Sequence, residues 1–142
     1  MIIDAENKVM GRLATTAARK AKEGEKVDII NAEKAVISGT EEEVKDHYKQ
    51  KYDRGTRHDG PYYPKAPQMI LKRVVRDMLP YKSSEGREQL GNVKAYIGEP
   101  YDLDDEPEEL GVKEGDDLKH RNYVKLGEVS QFIGWTPLGE QQ

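Results

Sequence analysis

A helix with an alanine stripe stands between two short apolar segments near the start of the chain, and this order limits the fold more than any other feature. The apolar segments run from Met1 to Ala5 and from Val27 to Ala32. Between them, residues 11–23 place Leu13 and four alanines on one side of a helix, and Gly24 follows as a helix stop. Small side chains let a helix lie close against a sheet, as a crossover between parallel strands requires. The sequence therefore predicts an α/β domain with a parallel sheet.

The rest of the chain continues this alternation of strands and helices. Residues 35–38 form another apolar run, after which Thr40 and Glu43 have the pattern of a capping box for a helix reaching about Tyr52. Residues 67–79 read as one helix, residues 83–92 as a loop or short helix, and residues 93–97 as a strand. A short strand over 123–126 and a helical turn end the pattern. One domain over residues 1–142 is expected, with residues 118–142 packing on it.

Charge is distributed unevenly along the chain. The formal net charge is −4, yet residues 45–98 carry 12 Lys and Arg against six Asp and Glu. Residues 99–117 carry ten acids and a single lysine, together with Gly and Pro and little apolar content. This composition predicts that residues 98–117 form a solvated acidic extension without a core of its own. A basic middle region is therefore hidden in the charge of the whole chain.

The helix predicted over residues 67–79 has two chemically different sides. At about 100° per residue, its basic residues Lys72, Arg73 and Arg76 lie together. The opposite side is apolar and is formed by Ile70, Leu71, Val74, Val75 and Met78. Prolines at positions 61, 64, 67 and 80 restrict the backbone at and around both ends. The sequence predicts a stiff amphipathic helix that presents a row of cations.

Such a row can be no more than the solvated side of a helix, but three features favour a phosphate-binding surface. The row contains a single acid, Asp77, so pairing at i,i+4 cannot neutralise it, although we expect Asp77 to pair with Arg73 at i−4 and to reduce the contact of Arg73 with phosphate. Arginine matches the geometry of phosphate oxygens, and tyrosines at positions 62, 63 and 81 flank the helix. A polyanion site is predicted in preference to a catalytic centre.

Several classes of site are not expected. The chain has no cysteine, and its three histidines are scattered, so neither a thiolate nor a paired-histidine metal site is predicted. No nucleophile elbow, phosphate-binding loop or dinucleotide fingerprint is present, so we expect no cofactor, no small-molecule substrate and no enzymatic activity. There is no charged leader with a long apolar run, which predicts a soluble, cytoplasmic protein with no membrane partner.

Two alternatives remain open at this point. Residues 31–33, Asn-Ala-Glu, stand where a parallel strand should end, which is the usual place for ligands in such sheets. The chain could then be a small nucleotide-binding or enzymatic domain. Alternatively, residues 99–117 could engage a basic protein, which would make the chain an adaptor.

Several motifs in order give the chain a specific resemblance from Ile3 to Gly134. They are Gly-Arg-Leu-Ala at 11–14, Asn-Ala-Glu-Lys-Ala-Val-Ile-Ser-Gly at 31–39, Tyr-Tyr-Pro-Lys-Ala-Pro at 62–67, Leu-Lys-Arg-Val-Val-Arg at 71–76, Met-Leu-Pro at 78–80 and Tyr-Ile-Gly-Glu-Pro at 96–100. On these residues the chain resembles the large-subunit ribosomal protein L13 family of archaeal and eukaryotic type. The family is usually basic, whereas this chain has a pI near 5.5. An acidic surface away from the RNA, as in salt-adapted proteins, would reconcile the two.

The resemblance implies a three-layer α/β/α domain around a four-stranded parallel sheet. It also implies a structural constituent of the large (50S) subunit that binds large-subunit (23S-type) rRNA, acts early in subunit assembly and contacts neighbouring ribosomal proteins. The positions that match the RNA-facing elements of the family are Arg12, Arg54, Arg57, Tyr62, Tyr63, Lys65, Lys72, Arg73, Arg76, Lys82 and Arg87. There, Lys and Arg would neutralise phosphates, while tyrosines and backbone N–H groups would approach sugars and exposed bases.

Overall fold

The computed structural model describes residues 1–53, 64–100, 107, 114–115 and 122–137. In order, their strands and α-helices are β1 (Ile2–Asp4), α1 (Met10–Lys22), β2 (Val27–Ile30), β3 (Val36–Ser38), α2 (Glu41–Asp53), α3 (Pro67–Asp77), α4 (Ser84–Gly91), β4 (Val93–Ala95), β5 (Tyr123–Lys125) and α5 (Leu126–Phe132). A short 3₁₀ turn, Ala32–Lys34, joins β2 to β3. The predicted mixed α/β class is confirmed, as are the predicted helices and strands, with ends shifted by a few residues.

A parallel sheet forms the centre of the domain. Its strand order is β1-β2-β4, with Ile3 opposite Ile29 and Ile29 opposite Ala95. The crossover from β1 to β2 is α1, whose Leu13 and alanine stripe are completely or almost completely buried. Helix α1 packs against α3, and α3 packs against β4. The alanine stripe therefore does what its sequence pattern predicts, because it lets the helix approach the sheet closely.

The resemblance implies a parallel sheet of four strands, but the described residues do not contain one. Their parallel sheet has three strands, and β3 pairs instead with β5 in an antiparallel ribbon, with Ile37 opposite Val124. The link from β2 to β3 is a single 3₁₀ turn, which is too short for a crossover to a parallel neighbour of β2. The other edge of β3 makes one isolated parallel bridge, from Val36 to Val9 in the segment that follows β1.

The core brings together residues that are far apart in the sequence. The helix α3 contributes Ile70, Leu71 and Val75, each fully buried. The C-terminal helix α5 contributes Leu126 and Val129, which lie in the same cluster. At about 25 cal/mol for each Å² of apolar surface removed from water, side chains of this size stabilise a fold by roughly 1.5–3 kcal/mol each. Helix α5 therefore packs into the same core as α3.

The acidic region touches the domain at Glu114 and Gly115. Lys8 Nζ lies 2.7 Å from Glu114 Oε1, and the N–H of Gly115 donates to the carbonyl of Asn7 at 2.9 Å. Gly115 is buried, and a Cβ on it would lie 2.8 Å from Asn7 Oδ1. A fully solvated extension does not describe these two residues, because they are held against the turn that follows β1.

Candidate nucleic-acid interface

The helix α3 carries the predicted cationic side, and its local sequence explains why the helix forms there. Pro67 occupies the first turn, where its missing N–H costs no hydrogen bond, and Ala66 before it is extended (ψ 139°). The N–H of Ile70 donates to the carbonyl of Ala66 at 3.0 Å, which closes the first turn. Burial of the apolar side against the sheet then fixes the rotation of the helix and turns its basic side outward.

Three predicted residues line one surface groove. Its volume is about 210 Å³. We call it the cationic groove, and it is lined by Pro64, Met69, Lys72, Arg73, Arg76 and Leu90. The three basic side chains are half-buried. Long basic side chains can cover apolar surface with their stems while their charged ends stay near water. Cations above apolar walls are a suitable arrangement for a phosphate group with a sugar or base attached.

Arg76 is held more firmly than a solvated arginine. Its guanidinium carbon lies 4.5 Å from the centre of the Tyr81 ring, and its Nη2 lies 3.4 Å from Asp77 Oδ1. The carboxylate expected on Arg73 is thus found beside Arg76. The Arg76 Nε atom is buried and has no hydrogen-bond partner among the described residues. Stacking on Tyr81 orients the guanidinium, which lowers the entropy that a phosphate contact would cost.

Lys65 lies next to the groove in a larger cavity. Its Nζ is 5.1 Å from the centre of the Tyr52 ring, so the end of α2 meets the segment that leads into α3. The cavity has a volume of about 750 Å³ and shares Pro64 and Met69 with the cationic groove. We call it the Trp135 cavity, because Trp135 lies in its wall.

Lys82 and Arg87 lie on the turn after α3 and on α4, and both are exposed. Arg87 Nη2 is 3.5 Å from the carbonyl oxygen of Lys82. Ser83 begins α4, since its Oγ accepts from the N–H of Gly86 at 3.1 Å and donates to the carbonyl of Pro80 at 2.8 Å. The turn is therefore tied to the end of α3, which gives these two cations a defined support.

The remaining predicted residues divide into two groups. Arg12 is exposed in the first turn of α1, and it does not line the cationic groove. Helix α1 nevertheless packs against both α3 and α4. Arg54, Arg57, Tyr62 and Tyr63 lie outside the described residues.

The apolar half of the site was not predicted from the sequence. Met69 has 56% of its surface exposed and lines both the groove and the cavity. At about 100° per residue it falls between Arg76 and Arg73 on the helix, so the cationic side itself could have revealed it. Leu90 and Trp135 carry no such signal, because they are far from α3 in sequence and reach the site through the fold.

Cations also lie over an aromatic ring away from the groove. Phe132 is 46% exposed, and Lys45 Nζ and Lys49 Nζ lie 5.5 and 5.9 Å from the centre of its ring. These two lysines of α2 therefore cover an aromatic residue of α5. Lys45 also pairs with Glu41 one turn earlier, which leaves this surface less cationic than the groove.

The alternative site at the end of β2 is occupied by the protein itself. Asn31 is only 3% exposed, and its Nδ2 donates to Asp4 Oδ1 at 3.0 Å. Both carboxylate oxygens of Glu33 accept from the N–H of Gly98, at 3.2 and 3.0 Å. These polar groups join β1, β2 and the segment after β4, so the hypothesis of a ligand pocket at this strand end is not supported.

The described residues contain neither a metal-binding cluster nor a membrane-spanning helix. None of them form a group of three or more His, Asp or Glu that could hold a metal ion. In the same part of the chain, no helix combines the length and apolar character needed to cross a bilayer. What the structure does present is an α/β domain with a groove of three cations, the kind of surface that proteins offer to polyanions.

Comparison with known proteins gives this domain its family. Residues 1–102 match the family model described as ribosomal protein L13. Proteins named large ribosomal subunit protein uL13 are similar over nearly the whole chain. The one from Methanopyrus kandleri is 43% identical over 99% of this chain and 90% of its own length. The one from Haloquadratum walsbyi is 45% identical over 96% of this chain and 92% of its own. The chain belongs to the ribosomal protein L13 family.

Proposed function

We propose that this protein is a structural constituent of the large ribosomal subunit and binds large-subunit rRNA through the cationic groove. The observation that carries the proposal is the convergence of Lys72, Arg73 and Arg76 on one groove of a chain that belongs to the L13 family. The relatives are named as large-subunit proteins, and members of this family act as structural components and not as enzymes. The protein would then work by holding RNA in place.

The contact surface extends beyond the groove in this proposal. Lys82 and Arg87 on one side and Lys65 on the other would meet neighbouring phosphates, with Arg12 at the start of α1 and Arg54, Arg57, Tyr62 and Tyr63 completing the surface. Neutralising several phosphates releases counterions and supplies affinity, while the rigid spacing of the cations selects the RNA shape.

Further properties follow from the same proposal. Binding to rRNA on its own would let the protein act early in subunit assembly, in the cytoplasm, with neighbouring ribosomal proteins covering other surfaces. The four-stranded parallel sheet of the family architecture would need one further strand beside β1-β2-β4. The residues from 98 to 117 would remain an acidic extension of one domain, anchored at Glu114.

Reversing the charge of the groove should weaken binding to large-subunit rRNA by about tenfold or more, which corresponds to at least ~1.4 kcal/mol. The variant is Lys72→Glu/Arg73→Glu, because Arg76 also stacks on Tyr81 and its loss would disturb the fold. Affinity is measured for large-subunit rRNA and for an unrelated structured RNA over a series of KCl concentrations. The dependence of log affinity on log salt should fall by about one for each lost phosphate contact.

A matched control separates a specific surface from general electrostatics. Lys22→Glu/Lys125→Glu makes the same change in net charge at two exposed positions that line neither the groove nor the Trp135 cavity. We expect this control to keep the preference for large-subunit rRNA. Equal losses in the two double variants, or equal affinity of the wild type for both RNAs, would refute the groove as a specific rRNA site.

A further inference from the structure

The Trp135 cavity is apolar where the neighbouring groove is charged. Its wall includes Pro64, Ala66, Met69, Ile97, Trp135 and Pro137. Met69 and Ile97 are among the large apolar residues with substantial exposure, at 56% and 40%. Because Met69 and Pro64 line both spaces, the apolar cavity and the cationic groove adjoin along the first turn of α3.

The chain places Trp135 in this wall by a specific turn. Helix α5 ends at Phe132, and Gly134 follows with φ 114°, in the region that favours glycine. The N–H of Trp135 then donates to the carbonyl of Ser130 at 2.9 Å. A Cβ at Gly134 would lie 3.6 Å from the Lys65 side chain, so the turn brings the C-terminal segment beside the start of α3.

One polar group of the cavity lacks a partner in the described part of the chain. Gln68 lines the cavity, and its Oε1 atom is buried without a hydrogen bond there. An unsatisfied buried acceptor is costly, typically by about 1–3 kcal/mol. Exocyclic amines and ring N–H groups of nucleobases are donors that could meet this oxygen after a small rotation of the side chain.

We infer that the Trp135 cavity takes an unpaired base of the bound RNA, while Lys72 and Arg73 hold the adjoining phosphate in the cationic groove. This inference rests on the proposed function and adds the form of RNA that the surface reads. An aromatic ring and apolar walls beside a row of cations match single-stranded RNA, whose bases stack on protein side chains while the backbone meets Lys and Arg. An apolar side chain of a protein partner would use the cavity but leave the adjoining cations without a role.

The only tryptophan of the chain is Trp135, so its fluorescence reports directly on the cavity. Short single-stranded oligoadenylate and oligouridylate are added to the full-length protein, and an RNA duplex of the same length is added separately. We expect saturable quenching by the single strands and weaker quenching by the duplex. Met69→Asp should reduce the affinity for the single strands by about tenfold, because it removes an apolar wall and repels the phosphate.

Phe132→Asp is the matched control, since it introduces the same charge at a residue of similar exposure that does not line the cavity. It should leave the quenching unchanged. Met69→Ala adds no charge and should still weaken single-strand binding. Because alanine favours a helix at this exposed position, such a loss would not come from a folding defect.

Three results would overturn the inference. They are equal quenching by single strands and duplex, equal effects of the two aspartate variants, and quenching by an apolar peptide but not by RNA. Each can occur while the preference for large-subunit rRNA persists, and the proposed function then stands without a base in the cavity. Loss of that preference in the wild-type protein would instead refute the proposed function itself.

Discussion

Replacing Gly86 by alanine should lower the free energy of unfolding by about 3 kcal/mol, because the added methyl group has no room. A Cβ at Gly86 would lie 1.8 Å from the carbonyl oxygen of Pro80 and 2.2 Å from its carbonyl carbon. Both atoms belong to the backbone, so a side-chain rotation cannot relieve the overlap. The end of α3 and the start of α4 would have to separate, and the Ser83 cap that joins them would be lost. Urea denaturation followed by circular dichroism measures the change.

Gly91 provides the control in the same helix. A Cβ there meets nothing within 4 Å, so Gly91→Ala should be neutral or stabilise the protein by about 0.5–1 kcal/mol. If both substitutions changed stability by the same small amount, Pro80 and Gly86 would not be in close contact. Lys82 and Arg87 would then lack the rigid support that this contact gives them.

The helix α3 shows what can be predicted from the sequence. Its limits follow from prolines, and its two sides follow from a period of about 3.6 residues, both of which are local properties. The structure places Lys72, Arg73 and Arg76 along one groove, as their common side on the helical projection leads one to expect. The same holds for the alanine stripe of α1, where the small side chains predicted close packing against a parallel sheet.

The rest depends on contacts between residues that are distant in sequence. Nothing near Val36 indicates that β3 pairs with β5 and not with a strand of the parallel sheet. The bond between Lys8 and Glu114 likewise gives one acid of a strongly charged segment a role that composition alone cannot reveal. Trp135 enters the site only because α5 packs into the core and Gly134 turns the chain back. Packing selects among several arrangements that the local patterns allow equally.

Replacing Asn31 by aspartate should also lower the free energy of unfolding by about 3 kcal/mol, although the side chain keeps its shape. Asn31 has φ 56° and is 3% exposed, and its amide nitrogen lies 3.0 Å from Asp4 Oδ1. The substitution replaces this donor with a carboxylate, so two negative oxygens would face each other in a part-buried contact. Aspartate tolerates the left-handed backbone, which leaves the lost donor and the new charge as the causes. Chemical denaturation measures the loss.

The double variant Asp4→Asn/Asn31→Asp tests the cause, because it returns one amide and one carboxylate to the pair. It should be more stable than Asn31→Asp alone, and comparison with both single variants, Asp4→Asn and Asn31→Asp, gives the coupling between the two positions. A ligand pocket at the end of β2 predicts another result: a free polar side chain could be changed with little effect on stability, and the two substitutions would add independently. Strong coupling would instead show that Asn31 serves the joint between β1 and β2. The polar groups at this strand end would then hold β1 and β2 together, which leaves the surface formed by α3 as the proposed RNA site.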